Sequence, residues 1–188
     1  VAISELIEYY KGIFTTLSSC ASRQLEEVTF RRATISVPEL MATAGKYFRK
    51  VYKGNKAHID FKIQPLEGRI TGDWNQLRFL LENLIDEACS VTLDGAVCLS
   101  AREDGEFIRF LFTDMRREKT REELNQLFYP DLSRMTAGEK GELYGTEYLV
   151  CKQIIRDHDE FAGRRGCRIN AEPGKEGGFT IYFTLPKK

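Results

Sequence analysis

Two side chains that could ligate a divalent cation lie one helical turn apart in the segment ENLIDEACSVT, residues 82–92. Asn83 and Glu87 are four positions apart, which places them on the same face of a helix. A carboxylate such as that of Glu87 is a hard oxygen ligand for Mg²⁺, and the amide of Asn83 can both donate and accept hydrogen bonds. The segment therefore predicts a helix with a polar face that carries both side chains.

A helix over residues 73–92 must carry these two side chains. Its apolar residues recur with helical period and predict one buried face: Leu77, Leu80, Leu81, Leu84, Ile85 and Ala88. The polar pair thus lies outside the buried face of the helix, and the helix is expected to present Asn83 and Glu87 to a cleft.

The remaining elements follow from caps, turns and alternation. SVPEL at 36–40 begins a helix that runs to about Tyr52, and a Thr120 to Glu123 capping box begins another over 120–128. Asp104–Gly105 predicts a two-residue hairpin turn. Strands are expected at 57–63, 68–71, both sides of that turn, 167–171 and 178–186, with a polar loop at 130–143 and a helix at 145–158. This order predicts an α+β two-layer sandwich, with helices on one face of a mixed, mostly antiparallel sheet.

An N-terminal helix is expected over residues 2–29. Ile3, Leu6, Tyr10, Ile13 and Leu17 follow steps of three and four, an apolar seam that suits a partner helix. Packing on its own domain, a homodimer and continuation of an upstream helix all remain open. We divide the chain into this helix, residues 1–32, and a domain over 33–188.

Composition excludes some functions. Lys plus Arg equals Asp plus Glu, with 28 of each, so no global charge favours nucleic acid or an anionic membrane. No apolar run is long enough for a membrane span, and no signal peptide is evident. Five cysteines without a paired spacing indicate free thiols in a reducing compartment. A cytoplasmic protein, or the cytoplasmic part of a membrane-anchored sensor, is expected.

Four motifs in this order resemble a known family. Residues 72–100 look like an N box, 112–130 like the G1 and F boxes, 144–158 like a G2 box, and 171–186 like the closing hairpin that ends in Leu-Pro. Together they resemble the ATP-binding domain of sensor histidine kinases, the GHKL or Bergerat fold shared with gyrase B. The resemblance covers most of the chain and implies a bacterial two-component signalling protein with ATP and Mg²⁺ as its ligands.

The same resemblance assigns site positions and reveals substitutions. Glu87 stands where the family has the Asn that binds Mg²⁺, with Asn83 one turn earlier, and Asp114 matches the Asp that binds the adenine amino group. Arg116 replaces a G1 glycine, as Glu118 does, and is expected either to meet a phosphate or to lie in solvent. Of the G2 glycines Gly145 remains, whereas Leu143 and Glu147 replace two others, and Ser90 stands where the family has a cation.

Two functions are therefore weighed. In the first, the domain is a pseudokinase: it has no catalytic residue, binds ATP weakly or not at all, and acts through protein partners in signalling. In the second, it binds Mg·ATP with Glu87 on the metal, Asp114 on the adenine, and Arg116, Arg117 or Lys119 on the phosphates. Residues 1–32 contain no His, so no phosphoacceptor is present there. His58 is expected to be structural and His158 to cap a helix C-terminus.

Overall fold

The computed structural model of the protein describes residues 3–7, 10–11, 29–128, 136–137, 143–144 and 147–188. Residues 3–7 and 10–11 are helical, and the rest of the expected helix 2–29 lies outside the described residues except Thr29, which is not helical. The elements that follow are β1 (Ala33–Ser36), α1 (Val37–Val51), β2 (Ile59–Gln64), β3 (Arg69–Gly72), α2 (Trp74–Cys89), β4 (Gly95–Asp104), β5 (Phe107–Asp114), α3 (Arg121–Gln126), β6 (Thr136–Ala137), β7 (Leu143–Tyr144), α4 (Glu147–Phe161), β8 (Ile169–Pro173) and β9 (Phe179–Pro186).

The main sheet has five strands in the order β2-β4-β5-β9-β8. Only the β2–β4 pair is parallel, while β4–β5, β5–β9 and β8–β9 are antiparallel. Along β5, Ile108, Phe110 and Phe112 are buried, and the residues between them are half-buried. This alternation shows that one sheet face packs into the core with the helices. The predicted α+β fold, with a mixed and mostly antiparallel sheet, is confirmed.

Helix α1 begins and ends close to where its sequence signals lie. The Ser36 hydroxyl accepts a hydrogen bond from the backbone N–H of Glu39 at 3.4 Å, and Pro38 occupies the first turn. Beyond its end, Tyr52 joins Tyr47 in donating hydroxyl hydrogen bonds to the Asp86 carboxylate on α2, at 2.7 Å for the closest contact of each. These two bonds fix the C-terminal part of α1 against α2.

The predicted buried face of α2 is confirmed, since Leu77, Leu80, Leu81, Leu84, Ile85 and Ala88 are all buried. The helix ends at Cys89 rather than at residue 92. At its start, the Asp73 carboxylate accepts hydrogen bonds from the backbone N–H groups of Gln76 at 3.2 Å and Arg31 at 2.9 Å. One side chain thus caps the helix and holds the segment that precedes β1.

Two predicted details need correction. The β4–β5 turn consists of Gly105 and Glu106, one residue later than expected, because Asp104 pairs with Phe107. Only Gly105 has a positive φ, of 61°, so the glycine takes the first turn position. The expected loop at 130–143 contains β6 and, at Leu143, the start of β7, with which β6 pairs. Its other residues lie outside the described part.

Helix α4 also differs from the prediction, since it continues three residues beyond His158 to Phe161. Its buried apolar side chains include Tyr148, Cys151, Ile154 and Ile155, whereas Leu149 and Val150 are only half-buried. The helix packs against α2 as well as β8. The predicted capping box of α3, between Thr120 and Glu123, is present.

His158 is a buried structural residue and not a helix cap. Its Nδ1 lies 2.8 Å from the Ile154 carbonyl oxygen, and its Nε2 accepts the backbone N–H of Asp73 at 3.1 Å. These partners require the neutral ring with its proton on Nδ1. Burial lowers the pKa of His158 to about 4. His58 is exposed just before β2, so its expected place within a strand was wrong.

We predict that protonation of His158 destabilises the fold. Between pH 6.5 and about 4 the unfolded chain binds a proton that the folded imidazole does not, so stability falls with pH in this window. At 1.36 kcal/mol per pKa unit, the shift corresponds to a loss of about 3 kcal/mol. Urea unfolding at pH 7 and pH 4.5 measures it. His58→Gln is the control and should keep the loss. A His158 imidazole that titrates near pH 6.5 by NMR would contradict the prediction.

Candidate functional site

Asp114, which ends the central strand β5, is held in place by both neighbouring strands. It pairs with Val97 on β4 and with Phe179 on β9. Gly178 allows the chain to pass close to its backbone, because a Cβ on Gly178 would lie 2.0 Å from the Asp114 carbonyl oxygen. Gly178 also has a φ of 68°, a region that favours glycine. The Asp114 side chain is therefore buried and fixed at the end of the core.

The carboxylate of Asp114 accepts four hydrogen bonds. Its Oδ1 accepts the backbone N–H of Arg116 at 3.0 Å and Nε–H of the same residue at 2.9 Å. Its Oδ2 accepts Nη2–H of Arg116 at 2.9 Å and Nε–H of Arg117 at 3.0 Å. A carboxylate offers about four lone-pair sites, so these four bonds fill them.

The guanidinium of Arg116 is likewise fully engaged. Besides its two bonds to Asp114, Nη1 donates to the carbonyl oxygens of Leu93 at 2.9 Å and Val91 at 3.3 Å, and Nη2 donates to that of Ala88. All five N–H donors of the side chain thus have acceptors. The side chain has no exposed surface. The expectation of a solvated Arg116 side chain was wrong, and its expected contact with a phosphate stays a prediction.

Arg116 also closes the C-terminal end of α2. No basic residue lies in the last turn of this helix, where the carbonyl groups carry partial negative charge. Arg116 supplies the cation from the loop after β5, through its bond to Ala88. Gly95 makes room for its stem, since a Cβ there would lie 2.7 Å from the Arg116 Cγ. Strand β5, helix α2 and the start of β4 therefore meet at one side chain.

The electrostatics of this cluster favour an ionised Asp114. Burial by itself would raise the pKa of Asp114, but hydrogen bonds and the charges of Arg116 and Arg117 outweigh it and hold this pKa below its usual range. The Arg117 guanidinium carbon lies 5.6 Å from the centre of the Phe179 ring, and the Lys119 Nζ lies 5.3 Å from the same ring. The cations of the G1-like loop thus turn towards Asp114 and the sheet.

Tyr148 occupies the space between α2 and this loop. It lies in the first turn of α4, is 6% exposed, and packs edge-on against Phe128 with ring centres 6.0 Å apart. Burial, followed by the nearby charge of Glu87, raises its pKa, while Arg117 opposes the shift. Tyr148 is therefore a buried aromatic side chain within electrostatic range of Glu87, Arg117 and Asp114.

The structure brings some predicted site residues together and leaves others apart. Asp114 and Arg116 are in direct contact, and Glu87 and Asp114 both lie within electrostatic range of Tyr148. The carboxamide nitrogen of Asn83 is buried and has no hydrogen-bond acceptor among the described residues. Gly145 lies outside the described residues, so its expected role stays a prediction. No residue pattern predicts the contacts of Tyr148 or the carbonyl acceptors of Arg116, because those contacts depend on tertiary packing.

Comparison with known proteins identifies the class of domain to which this fold belongs. Residues 72–188 match the family of histidine kinase-, DNA gyrase B- and HSP90-like ATPases. Because the match covers more than half of the chain, the protein belongs to this family. A curated relative, the adaptive-response sensory kinase SasA of Thermosynechococcus vestitus, is 26% identical over 177 residues. These residues are 93% of the chain but 44% of the relative, so the chain spans less than half of its length.

Solved structures agree with this fold. The catalytic domain of histidine kinase ThkA superimposes with a TM-score of 0.64 and 19% identity, covering 84% of this chain and 96% of that domain. Histidine kinase AdeS of Acinetobacter baumannii gives a TM-score of 0.66 at 13% identity, over 96% of this chain and 79% of that one. Full-length ShkA in complex with AMPPNP gives 0.68 at 17% identity, over 99% of this chain and 37% of that one.

We predict that Arg116→Ala strongly destabilises the domain, because it leaves the Asp114 carboxylate buried with its main countercharge removed. Loss of one partner of a buried ion pair costs about 3–5 kcal/mol of unfolding free energy. The matched control is Arg78→Ala, which breaks an exposed pair with Glu82 and should cost less than about 1 kcal/mol. Denaturant unfolding measures both.

A second variant tests the cause of this loss. Adding Asp114→Asn to Arg116→Ala should recover part of the stability, since a neutral amide is less costly to bury than an unpaired carboxylate. Equal losses for Arg116→Ala and Arg78→Ala, or a further loss in the double variant, would contradict a buried, energetically coupled pair.

Proposed function

We propose that this chain is a histidine-kinase-like module that acts without binding ATP and signals through protein contacts. One observation carries the proposal: every acceptor site of the Asp114 carboxylate is already used by Arg116 and Arg117. By the family resemblance, Asp114 is the residue that would accept the adenine amino group. The carboxylate has no acceptor site left for an adenine amino group, because the arginines of the same chain already occupy all of them.

The residues present do not fit an adenine at this position. A base that reached Asp114 would have to displace a guanidinium that makes five hydrogen bonds and has no exposed surface. Buried donors and acceptors left without partners cost about 1–3 kcal/mol each, and more when they are charged. The assignment of Glu87 as a metal ligand stays a prediction.

The alternative is an active kinase domain with unusual chemistry. Membership of the ATPase family and the retention of an ionised carboxylate at Asp114 favour it. In that case Arg116 must leave Asp114 when nucleotide binds, and Glu87 would hold Mg²⁺. The two functions differ in a measurable quantity, because a ligand that binds only the folded state raises its stability.

We predict no change in melting temperature when Mg·ATP or Mg·ADP is added to millimolar concentration. The matched variant, Asp114→Asn, should respond to nucleotide in the same way as the unmodified chain, since neither binds it. A histidine kinase domain that binds nucleotide serves as the positive control in the same buffer. A rise in melting temperature of the unmodified chain that Asp114→Asn abolishes would overturn the proposal and support the alternative.

The partners in this proposal are proteins, beginning with a second copy of the chain. The helical residues 3–7 and 10–11 expose Ile3, Leu6, Ile7 and Tyr10, which are 49–76% accessible. Their spacing by three and four residues is that of a helix–helix seam. We propose that residues 1–32 form a dimerisation segment ahead of the domain over 33–188, with a helix that ends before Thr29. No helix among the described residues is long and apolar enough to cross a membrane, and we propose a cytoplasmic location.

Sedimentation should accordingly show a dimer that Leu6→Asp converts to a monomer, because a carboxylate in the seam has no compensating partner. Phe79→Asp is the control: Phe79 is 42% exposed on α2 and is not one of the seam residues, so its replacement should leave the dimer intact. An unmodified chain that remains monomeric at high concentration would refute the seam as an interface.

A further inference from the structure

A shallow cleft of about 610 Å³ lies at the C-terminal end of α1. None of its lining residues contacts Asp114 or belongs to the loop that follows it. Its floor is apolar and its edges are basic. The lining consists of Lys46, Phe48, Arg49, Lys50, Tyr52 and Lys53. Nothing in the proposed loss of nucleotide binding accounts for this combination, so it requires an explanation of its own.

The charge of this surface is strongly one-sided. Between Glu39 and Asp60 the sequence has five cations and no acidic residue. Lys46, Arg49, Lys50, Lys53 and Lys56 are all exposed, and none forms an ion pair within the described residues. A helix dipole favours cations in the last turn. Lys46 precedes that turn and Lys53 and Lys56 lie beyond the helix, so capping alone does not account for the group.

The aromatic floor is held rigid from below. Phe48 stacks on Tyr52 with ring centres 5.9 Å apart and on Phe61 at 5.1 Å. The Tyr52 hydroxyl is fixed by its 2.7 Å bond to Asp86, which also accepts the Tyr47 hydroxyl. The Asp86 carboxylate is thus directed at two phenols. A preorganised site loses less entropy when it binds a partner.

We propose that this basic cleft binds an acidic peptide segment of a partner protein, with one apolar or aromatic side chain on the Phe48–Tyr52 floor and flanking carboxylates on the lysines. Charge complementarity identifies the chemistry of the partner. A concave apolar floor fits a single projecting side chain of a peptide better than it fits a flat membrane surface. Four of the five cations are lysines, whereas bidentate recognition of nucleic-acid phosphates favours arginine. An acidic peptide is therefore the occupant that fits.

Fluorescence anisotropy with a labelled peptide, a Phe flanked on both sides by glutamates, tests the proposal on the full chain. Binding is expected, and it should weaken with added salt. Replacing the glutamates by glutamine, or the Phe by alanine, should each weaken it. The double variant Lys50→Glu/Lys53→Glu should weaken it by roughly tenfold or more, since two attractions become repulsions.

The matched control is Arg156→Glu/Lys175→Glu, which makes the same charge change on exposed residues outside the cleft and should alter affinity less than about twofold. No binding at millimolar peptide, or an equal loss in both double variants, would overturn the proposal. Tighter binding of a DNA oligonucleotide or of phosphatidylserine vesicles than of the peptide would overturn the choice of occupant. Circular dichroism confirms that each variant is folded before it is compared.

Discussion

The buried contact between Arg116 and Asp114 is the interaction on which the rest of the site depends. Asp114 alone would be a costly buried carboxylate at the end of β5, and the carbonyl groups at the end of α2 would lack a cation. The Arg116 guanidinium provides hydrogen bonds to the carboxylate and to these carbonyl groups at once, because its donors point in several fixed directions. Strand β5, helix α2 and the chain before β4 are therefore joined through a single side chain, and each further feature of the site adapts to it.

Much of this fold can be predicted from the sequence where the interactions that determine it are local. The buried face of α2, the Ser36 cap and the Thr120–Glu123 capping box depend on residues within a few positions of each other, and the structure has them all. The turn after β4 was misplaced by one residue because strand pairing decides which turn position Gly105 takes. The prediction that His158 caps a helix was wrong for a related reason, since its hydrogen-bond partner Asp73 lies 85 residues away in the sequence.

The site was less predictable than the fold. A cation two positions after a strand-ending Asp can point to solvent, to a ligand or back to that Asp, and the sequence does not distinguish these directions. The choice depends on Gly95, which leaves space for the Arg116 stem, and on carbonyl groups of residues 88–93. Every residue has a backbone carbonyl group whatever its side chain, so no residue pattern predicts which carbonyl groups will act as these acceptors. Tyr148 is similar, because its burial needs α4 to pack against α2.

These contacts also change what the retention of Asp114 implies. In an ATPase family, an Asp at this position suggests adenine recognition. Here the same carboxylate has a structural role, since it is the counter-ion of Arg116 and Arg117 at the centre of the domain. Loss of Asp114 would leave two cations without their acceptor, one of them wholly buried, whether or not nucleotide ever binds. A stabilising role is thus sufficient reason for an Asp at this position, and evidence for ATP binding must come from a measurement on the ligand itself.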